Sequence, residues 1–199
     1  MTAAPLPDAA ETLPAWAFPP PDGFVADDLD RLTALPPHTE LIDGSLVFVS
    51  PQAAFHTLVM DILVNGLRRT APKDLRVRRE MSVILAQRQR PEPDLVVVNA
   101  ASVIGADQTA HKGADITLAV EVVSADSEVR DRERKPQLYA KAGIPHFWRV
   151  ENDSGRPIVY TYELDPATQS YVPTGIHHER LKTTVPFDID IDLTEIDRL

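Results

Sequence analysis

The stretch Pro93-Asp94-Leu95-Val96-Val97-Val98 joins a proline and an acidic residue to a run of four apolar residues. An apolar run of this length predicts a buried strand, with the proline at its entry, where no ladder donor is lost. A second apolar run, Ile116 to Ser124, is interrupted by a single acid, Glu121. Because a buried carboxylate without a partner is costly, Asp94 and Glu121 each require a cation, hydrogen bonds or a proton.

The sequence before these strands predicts a hairpin, a helix and a further strand. Asp43-Gly44 between two apolar runs indicates the turn of a β-hairpin over Glu40 to Val49, because both turn positions need positive φ. Apolar residues recur at helical spacing from Ala53 to Thr70. Val77 to Leu85 alternates apolar and polar residues, which predicts one strand, and residues 99–114 are interpreted as a loop.

The sequence after these strands predicts one more helix. Ser127 to Ala142 has helical spacing but contains Pro136, whose ring clashes with the carbonyl four residues before it. We therefore expect the helix to begin near Pro136 or to be kinked there, and to end at Gly143. Phe147 to Val150 predicts another strand, and the remaining sequence predicts short strands around turns.

Length and composition restrict the class of protein. The chain has 199 residues, eighteen prolines and no cysteine, which favours one domain without disulfides or a cysteine-based metal site. Residues 1–24 are rich in proline and alanine and predict an extended arm, so that residues 25–199 form the domain. We find no secretion signal and no apolar run near the ~18 residues of a membrane span. The sequence therefore predicts a cytoplasmic protein without a membrane segment.

Charge is distributed unevenly along the chain. The net charge of −10 disfavours a nucleic-acid partner, since phosphate binding needs local positive charge. Residues 55–150, however, carry 15 basic and 12 acidic residues, whereas the rest of the chain carries 5 basic and 18 acidic residues. The basic residues cluster at Arg68-Arg69, at Arg76, Arg78 and Arg79, and at Arg130, Arg132, Arg134 and Lys135. This pattern fits either ordinary solvated faces or one positive face on an acidic protein.

Asp94 and Glu121 are the candidate chemical groups. Two carboxylates at neighbouring strand ends would form an oxygen-rich site for Mg²⁺ or Mn²⁺. Lys135 follows 14 residues after Glu121, at the boundary of the predicted helix. A lysine beside a metal-bound phosphate can orient water or stabilise developing negative charge. A structural interpretation also stays open, in which Asp94 caps a strand end and Glu121 pairs with an arginine.

The ordered set of these residues resembles the PD-(D/E)XK nucleases. Pro93-Asp94 followed by Glu121-Val122-Val123-Ser124 is similar to their signature, with Val123 at the usual lysine position and Lys135 on the following helix instead. Over roughly residues 25–195 the chain is closest to one branch, the Uma-type family of putative restriction endonucleases. The further segments that carry this resemblance are Glu40-Leu41-Ile42-Asp43-Gly44, Ser50-Pro51 with His56, Asp131 with Lys135, Tyr139, Ala142-Gly143-Ile144-Pro145 and Phe147-Trp148-Arg149-Val150.

The resemblance implies a fold and a set of roles. The fold is α/β (α+β) and restriction-endonuclease-like, with a mixed central β-sheet flanked by helices. Asp94 and Glu121 would bind Mg²⁺ or Mn²⁺, Glu40 would be a further ligand, and Lys135 would be the catalytic lysine. The candidate substrate contacts are one histidine and two arginines, His56, Arg132 and Arg134. The resemblance also implies a bacterial homodimer that acts on DNA.

Three functions are therefore compared. The first is a metal-dependent endonuclease that hydrolyses phosphodiester bonds in DNA. The second is a nucleic-acid-binding module with the nuclease fold and little or no turnover, which the valine at position 123 favours. The third is a structural or protein-interaction role for the acidic ends and the proline-rich arm. Binding that survives the loss of Glu121 would distinguish the second from the first, since phosphate contacts set affinity.

Overall fold

Three α-helices and twelve strands form the described part of the chain, residues 14–32 and 34–199 of a computed structural model. The α-helices are α1 (Asp28–Arg31), α2 (Ala54–Thr70) and α3 (Lys135–Lys141). The strands are β1 (Glu40–Ile42), β2 (Ser45–Val47), β3 (Leu75–Arg79), β4 (Ser82–Ile84), β5 (Leu95–Asn99), β6 (Ala110–Lys112), β7 (Ile116–Val122), β8 (His146–Asp153), β9 (Arg156–Asp165), β10 (Ser170–His177), β11 (Arg180–Thr183) and β12 (Ile189–Asp192). Residues 1–13 of the predicted arm lie outside the described residues.

The central sheet has six strands in the order β10-β9-β8-β7-β5-β3. Strands β7 and β8 are parallel, and the other neighbours are antiparallel. Helix α2 packs on one face of this sheet, and α3 packs on the other. The expected mixed sheet flanked by helices is thereby confirmed. The predicted hairpin at Asp43-Gly44 is also confirmed, with φ values of 54° and 79° at its two turn residues.

Strand β5 explains why the sequence around Val96 is continuously apolar. Leu95 and Val97 belong to the buried cluster that includes the apolar side of α2. Val96 and Val98 belong to the cluster on the other face, with Tyr139 of α3. Because successive side chains of a strand point to opposite faces, a strand that is covered on both faces has no polar position along its length. The four apolar residues after Asp94 are therefore a direct consequence of the two-sided packing.

Helix α2 approaches β12 closely at Gly66, and this contact gives a testable prediction. A glycine-to-alanine change inside a helix usually stabilises it by about 0.5–1 kcal/mol. A Cβ atom at Gly66, however, would lie 2.5 Å from both Cγ1 and Cδ1 of Ile191, which is fully buried. We therefore expect Gly66→Ala to lower the free energy of unfolding, measured by urea denaturation. Ile191→Ala should remove this penalty, so additive effects in the double variant would contradict the packing explanation.

The interpretation of Val77 to Leu85 as one strand is wrong, because the structure has two strands there. Strand β3 ends at Arg79, and Glu80 adopts a positive φ of 48° before β4 begins. Strand β4 does not belong to the central sheet; it pairs in parallel with β6 in a separate two-stranded sheet. Strand β6 lies inside residues 99–114, which the sequence predicted as a loop. Its three residues carry no alternating pattern, so the pairing depends on tertiary contacts that local sequence does not reveal.

The helix is irregular before Pro136, but it does not begin there, because helical structure runs from residue 128 to residue 141. Residues 130–134 form a π-helical segment, and α3 follows directly with the proline in its first turn. Proline has no amide hydrogen, and the π-helical segment directly before it interrupts the regular hydrogen-bond ladder at the point where that donor is missing. The helix ends as predicted at Gly143, whose φ of 78° is the left-handed conformation of a C-terminal cap. This arrangement places Lys135 at the junction of the two helical segments.

Candidate active site

Asp94 joins three elements at one end of the sheet. It directly precedes β5, and the register that pairs Leu95 with Val120 brings it level with the end of β7. Its Oδ2 atom accepts the backbone N–H of Val122 at 2.6 Å. Its Oδ1 atom lies 2.8 Å from Nε2 of the buried His56 on α2. A carboxylate oxygen accepts hydrogen bonds, so the Nε2–H tautomer of His56 donates to Asp94, whose carboxylate is held from two sides.

Glu121 is the acid that interrupts β7, and it lies on the α3 side of the sheet. Its neighbours Val120 and Val122 belong to the cluster beneath α2, so the intervening side chain points the opposite way. The carboxylate is only 1% exposed. Its Oε2 atom accepts a hydrogen bond from Lys135 Nζ at 2.9 Å, and its Oε1 atom accepts one from the Tyr139 hydroxyl. The costly buried acid therefore has both a cation and a neutral donor.

Lys135 lies at the centre of three carboxylates. Its Nζ atom is 2.9 Å from Glu121, 3.0 Å from Glu40 and 3.3 Å from Asp131. Burial alone would lower the pKa of Lys135, but these carboxylates together raise its pKa well above the ordinary value. The amine is consequently a permanent cation near neutral pH. It can stabilise negative charge, but it cannot act as a general base there.

The acids around Lys135 outnumber the cations. Burial raises the pKa of Glu121 well above its ordinary value, although Lys135 opposes this effect. Burial also raises the pKa of Asp131, which again is opposed by the ammonium group. These side chains line a cavity of about 380 Å³ together with further acids, the full acidic set being Glu40, Glu80, Glu92, Asp94, Glu121 and Asp131. The cationic groups in its wall are Arg130 and Lys135, with His38 beside them.

The structure brings some of the sequence-predicted residues together and leaves others apart. Asp94, Glu121, Lys135 and Glu40 all line the acidic cavity, and His56 contacts Asp94 from α2. The two arginines suggested as substrate contacts do not line this cavity. Arg132 forms ion pairs with Glu151 and Glu128, and Arg134 forms one with Asp43. Their role in substrate binding stays a prediction.

Sequence reasoning missed the contribution of Tyr139, which it named only as part of the family resemblance. The ring is in the core, but the hydroxyl donates to Glu121. The spacing of four residues between Lys135 and Tyr139 could have indicated this, because such residues lie on one face of a helix. Asp131 was part of the family resemblance but received no role. It precedes Lys135 by four residues and contacts the same cavity.

The donor chemistry of the cavity fits a hard divalent cation. In residues 14–32 and 34–199, no three histidine or acidic side chains are already arranged around a position for a metal ion. Three carboxylates surround Lys135 Nζ instead, so the acids outnumber the amine that they contact. Asp131 Oδ1 is buried and accepts no hydrogen bond, although it lies 3.3 Å from Nζ. Excess carboxylate oxygens with an unsatisfied acceptor are the ligand type that Mg²⁺ and Mn²⁺ prefer.

Tyr139→Phe is expected to destabilise the protein by about 1–3 kcal/mol at neutral pH, because it leaves a buried carboxylate oxygen without its donor. Burial and the nearby Glu121 raise the pKa of Tyr139 well above its ordinary value, so the hydroxyl keeps its proton. Urea denaturation measures the effect. Tyr171→Phe is a matched control, since its hydroxyl donates to the Ile144 carbonyl in the same aromatic cluster. Equal losses that do not depend on pH would contradict a specific role at Glu121.

Comparison with known proteins identifies the family. The family profile Uma2, described as "Putative restriction endonuclease", matches residues 26–194. Among solved structures, the chain is similar to "a putative nuclease belonging to DUF820 from Anabaena variabilis ATCC 29413", with a TM-score of 0.62 and 14% sequence identity. That match covers 82% of this chain and 89% of the other.

The three comparisons support the resemblance to different extents. A search of curated proteins gives no match. At 14% identity, the solved structure shows a shared fold and nothing finer. The family profile extends over most of the domain that carries Asp94, Glu121 and Lys135. On that match, the chain belongs to the Uma2 family of restriction-endonuclease-like proteins.

Proposed function

We propose that this protein is a Mg²⁺-dependent endonuclease that hydrolyses phosphodiester bonds in DNA. Membership of the Uma2 family supports a nuclease. The observation that carries the finer proposal is the convergence of Asp94, Glu121 and Lys135 on one cavity at the end of the sheet. A cavity with six acids would repel a phosphodiester, unless divalent cations offset their charge. The excess of acids over cations in the cavity therefore supports metal dependence.

Each residue has a distinct role in the proposed reaction. Asp94 and Glu121 would hold the ion, and Glu40 supplies a third carboxylate on β1 that faces the same amine. When bound, the ion would supply polarisation of the phosphoryl group and a water of lowered pKa. Lys135, held as a cation, stabilises the negative charge that develops on the phosphoryl oxygens in the transition state.

Three further contacts position the carboxylates. The His56 imidazole and the Val122 amide fix the orientation of Asp94. The Tyr139 hydroxyl fixes one oxygen of Glu121. Such supporting contacts restrict the carboxylates to one arrangement before the ion and the substrate bind, and their loss typically weakens metal sites by about 10–100-fold. His56 is accordingly proposed as a positioning residue rather than as a direct contact to the substrate.

Plasmid cleavage tests this proposal. Purified protein is incubated with supercoiled DNA and Mg²⁺ or Mn²⁺, and the nicked and linear products are separated on a gel. We expect cleavage that depends on the added cation and stops when a chelator is present. Single-stranded DNA is tested in parallel, because the substrate's strandedness is part of the same question. Cleavage that continues unchanged in chelator would contradict the metal-dependent mechanism.

A module that binds nucleic acid without turnover is a second candidate. The observation that favours it is the full set of ion pairs around Lys135, which ties the proposed catalytic lysine to three acids. Such a protein would bind DNA and leave it intact with either cation.

A homodimer, a cytoplasmic location, a bacterial source and the arm over residues 1–24 are further parts of the proposal that rest on sequence. Within the described residues, no helix has the length and apolar character needed to cross a bilayer.

A further inference from the structure

A concentrated patch of positive charge lies outside the acidic cavity. Residues 68–79 carry six basic residues and one acid in a chain whose net charge is −10. They lie at the C-terminal end of α2, in the loop after it and along β3, which is the terminal strand of the central sheet. Val77 packs beneath α2, so Arg76 and Arg78 point to the opposite face of the sheet, the face on which Glu121 lies. We define the β3 basic surface as the five members of this group that form no ion pair within the described residues, Arg68, Arg69, Lys73, Arg76 and Arg78.

Three of the four residues in the second basic cluster of the chain are paired by the fold, and the fourth, Arg130, lines the acidic cavity. Arg132 and Arg134 form ion pairs with acids from other elements, and Lys135 is surrounded by three carboxylates. In residues 68–79, by contrast, one basic residue has an acidic partner in the described part of the chain, namely Arg79 with Asp61. Of the two basic clusters, the β3 basic surface is therefore the one that keeps most of its positive charge free to meet an external anion outside the cavity.

This surface begins beside the acidic cavity. Strand β3 is antiparallel to β5, so that Arg79 lies opposite Leu95 and Arg76 lies opposite Val98. The Glu80 amide donates to the carbonyl of Asp94 at 3.0 Å, which joins the end of β3 to the proposed metal ligand. The four residue steps from Glu80, which lines the cavity, to Arg76 span about 13 Å along the strand. At 3.4 Å per nucleotide along one strand of a duplex, this length corresponds to about four nucleotides.

The geometry of the strand suits a repeating anion. Arg76 and Arg78 are two residues apart, so they point to the same face with a spacing of about 6.8 Å. They lie on the outermost strand, whose outer edge has no strand partner in the described residues. Both are at least partly exposed to solvent. Two guanidinium groups at this spacing can contact two phosphates of one nucleic-acid strand.

We propose that the β3 basic surface binds the phosphate backbone of DNA while the scissile bond lies in the acidic cavity. This inference rests on the proposed nuclease function, and it adds the direction in which the substrate leaves the cavity. Because the contacts are to phosphates, the surface positions the DNA and does not read its sequence. An alternative role for arginines on a terminal strand is to prevent edge-to-edge aggregation. The two roles predict different effects on DNA affinity.

The test measures DNA binding as a function of salt. The full-length protein is titrated into a fluorescein-labelled DNA duplex of mixed sequence, in EDTA so that metal-dependent cleavage does not consume the probe. Arg76→Gln/Arg78→Gln should reduce the slope of log affinity against log salt concentration by about 1.8, because each phosphate contact contributes about 0.9. Each phosphate contact raises the affinity about eightfold when the salt concentration falls from 1 M to 0.1 M. The double variant loses two such contacts, so it should bind about sixtyfold more weakly than the wild type at 0.1 M salt.

Two controls separate this effect from net charge and misfolding. Arg156→Gln/Arg180→Gln removes the same charge from arginines that are paired with Asp197 and Asp190. It should keep the wild-type slope to within measurement error. Arg76→Lys/Arg78→Lys should also keep most of the slope, because phosphate binding needs the charge. Thermal melts of all the variants check that they are folded.

The outcomes distinguish this inference from the nuclease proposal. Equal slopes for the Arg76/Arg78 variant and the paired-arginine control would overturn the inference, even if the wild type cleaves DNA. The absence of salt-dependent binding by the wild type would also overturn it. Aggregation of the Arg76/Arg78 variant with an unchanged slope would assign these arginines to edge protection instead. Binding through this surface without any cleavage would support the inference and refute the nuclease proposal.

Discussion

Asp94→Asn and Glu121→Gln are each expected to reduce the rate of DNA cleavage by at least about 10²–10³-fold, the effect typical of losing one group that stabilises a transition state. Both substitutions keep the size of the side chain and remove its negative charge. In Asp94→Asn, the side chain would bind the ion more weakly, but its shape would still fit beside His56 and the Val122 amide. Quantitative plasmid cleavage at saturating Mg²⁺ measures the effect.

The control for this prediction is a carboxylate elsewhere in the fold. Asp190 is an exposed acid that pairs with Arg180, so Asp190→Asn should cleave at the wild-type rate. DNA affinity in EDTA should not fall in any of the three variants, because none of them removes a basic residue. If Asp94→Asn or Glu121→Gln cleaved as fast as Asp190→Asn, the assignment of these acids would be wrong. A parallel loss of fold would be visible in the thermal melt.

Lys135→Met is expected to lower the free energy of unfolding by about 3–5 kcal/mol near pH 8. The substitution keeps an apolar stem of similar length but leaves Glu40, Glu121 and Asp131 without their buried cation. Urea denaturation measures the loss. Lys141→Met is the matched control, because this lysine lies at the other end of α3 and is exposed. Its substitution should change stability by less than about 0.5 kcal/mol.

The destabilisation by Lys135→Met should depend on pH in a defined direction. Burial already raises the pKa of Glu121 and of Asp131 in the folded wild type, and loss of the amine raises both further. A carboxyl group whose pKa is raised by folding destabilises the fold above its unfolded pKa, near 4, and this effect grows until the pH exceeds the folded pKa. The penalty should therefore be smallest at acidic pH and should increase toward pH 8. A penalty that is constant from pH 5 to pH 8 would contradict the charge explanation.

The positions of Asp94 and Glu121 were predictable because a local pattern determines them. Each is a single acid beside or within a long apolar run, and two-sided burial of the sheet explains such a run. The antiparallel pairing of β5 with β7 then brings the two acids to the same end of the sheet. The fold class, and the location of the candidate site, follow from these two segments together with the family resemblance.

The environment of Lys135 was less accessible from sequence. Helical spacing suggests that Asp131 and Tyr139 lie on its face, but the π-helical segment before Pro136 changes the register at that point. Glu40 reaches the amine from the distant hairpin, a contact that no local pattern encodes. The basic residues of this helix looked equivalent to those of β3, and their tertiary partners alone reveal that Arg132 and Arg134 are already paired.

The splitting of the predicted strand at Glu80 has a similar origin. The alternating pattern continues through this residue, but its positive φ ends β3 and redirects the chain into β4. The Glu80 amide donates to the Asp94 carbonyl, a long-range contact that accompanies this break. Strand β4 then pairs with β6, which has too few residues to show a periodic pattern. The irregular part of the fold thus lies next to the candidate site.

A thermal melt in the presence of Mn²⁺ and a DNA duplex tests the central claim most directly, namely that Asp94 and Glu121 bind a divalent cation in the acidic cavity. A ligand at about 100 times its dissociation constant stabilises the folded state by about 2.7 kcal/mol, which a melt detects easily. The DNA supplies a phosphate oxygen as a ligand, and DNA with EDTA gives the reference. We predict a cation-dependent increase in the melting temperature of the wild type that is absent in Asp94→Asn. No increase in the wild type, or an equal increase in both proteins, would contradict the account.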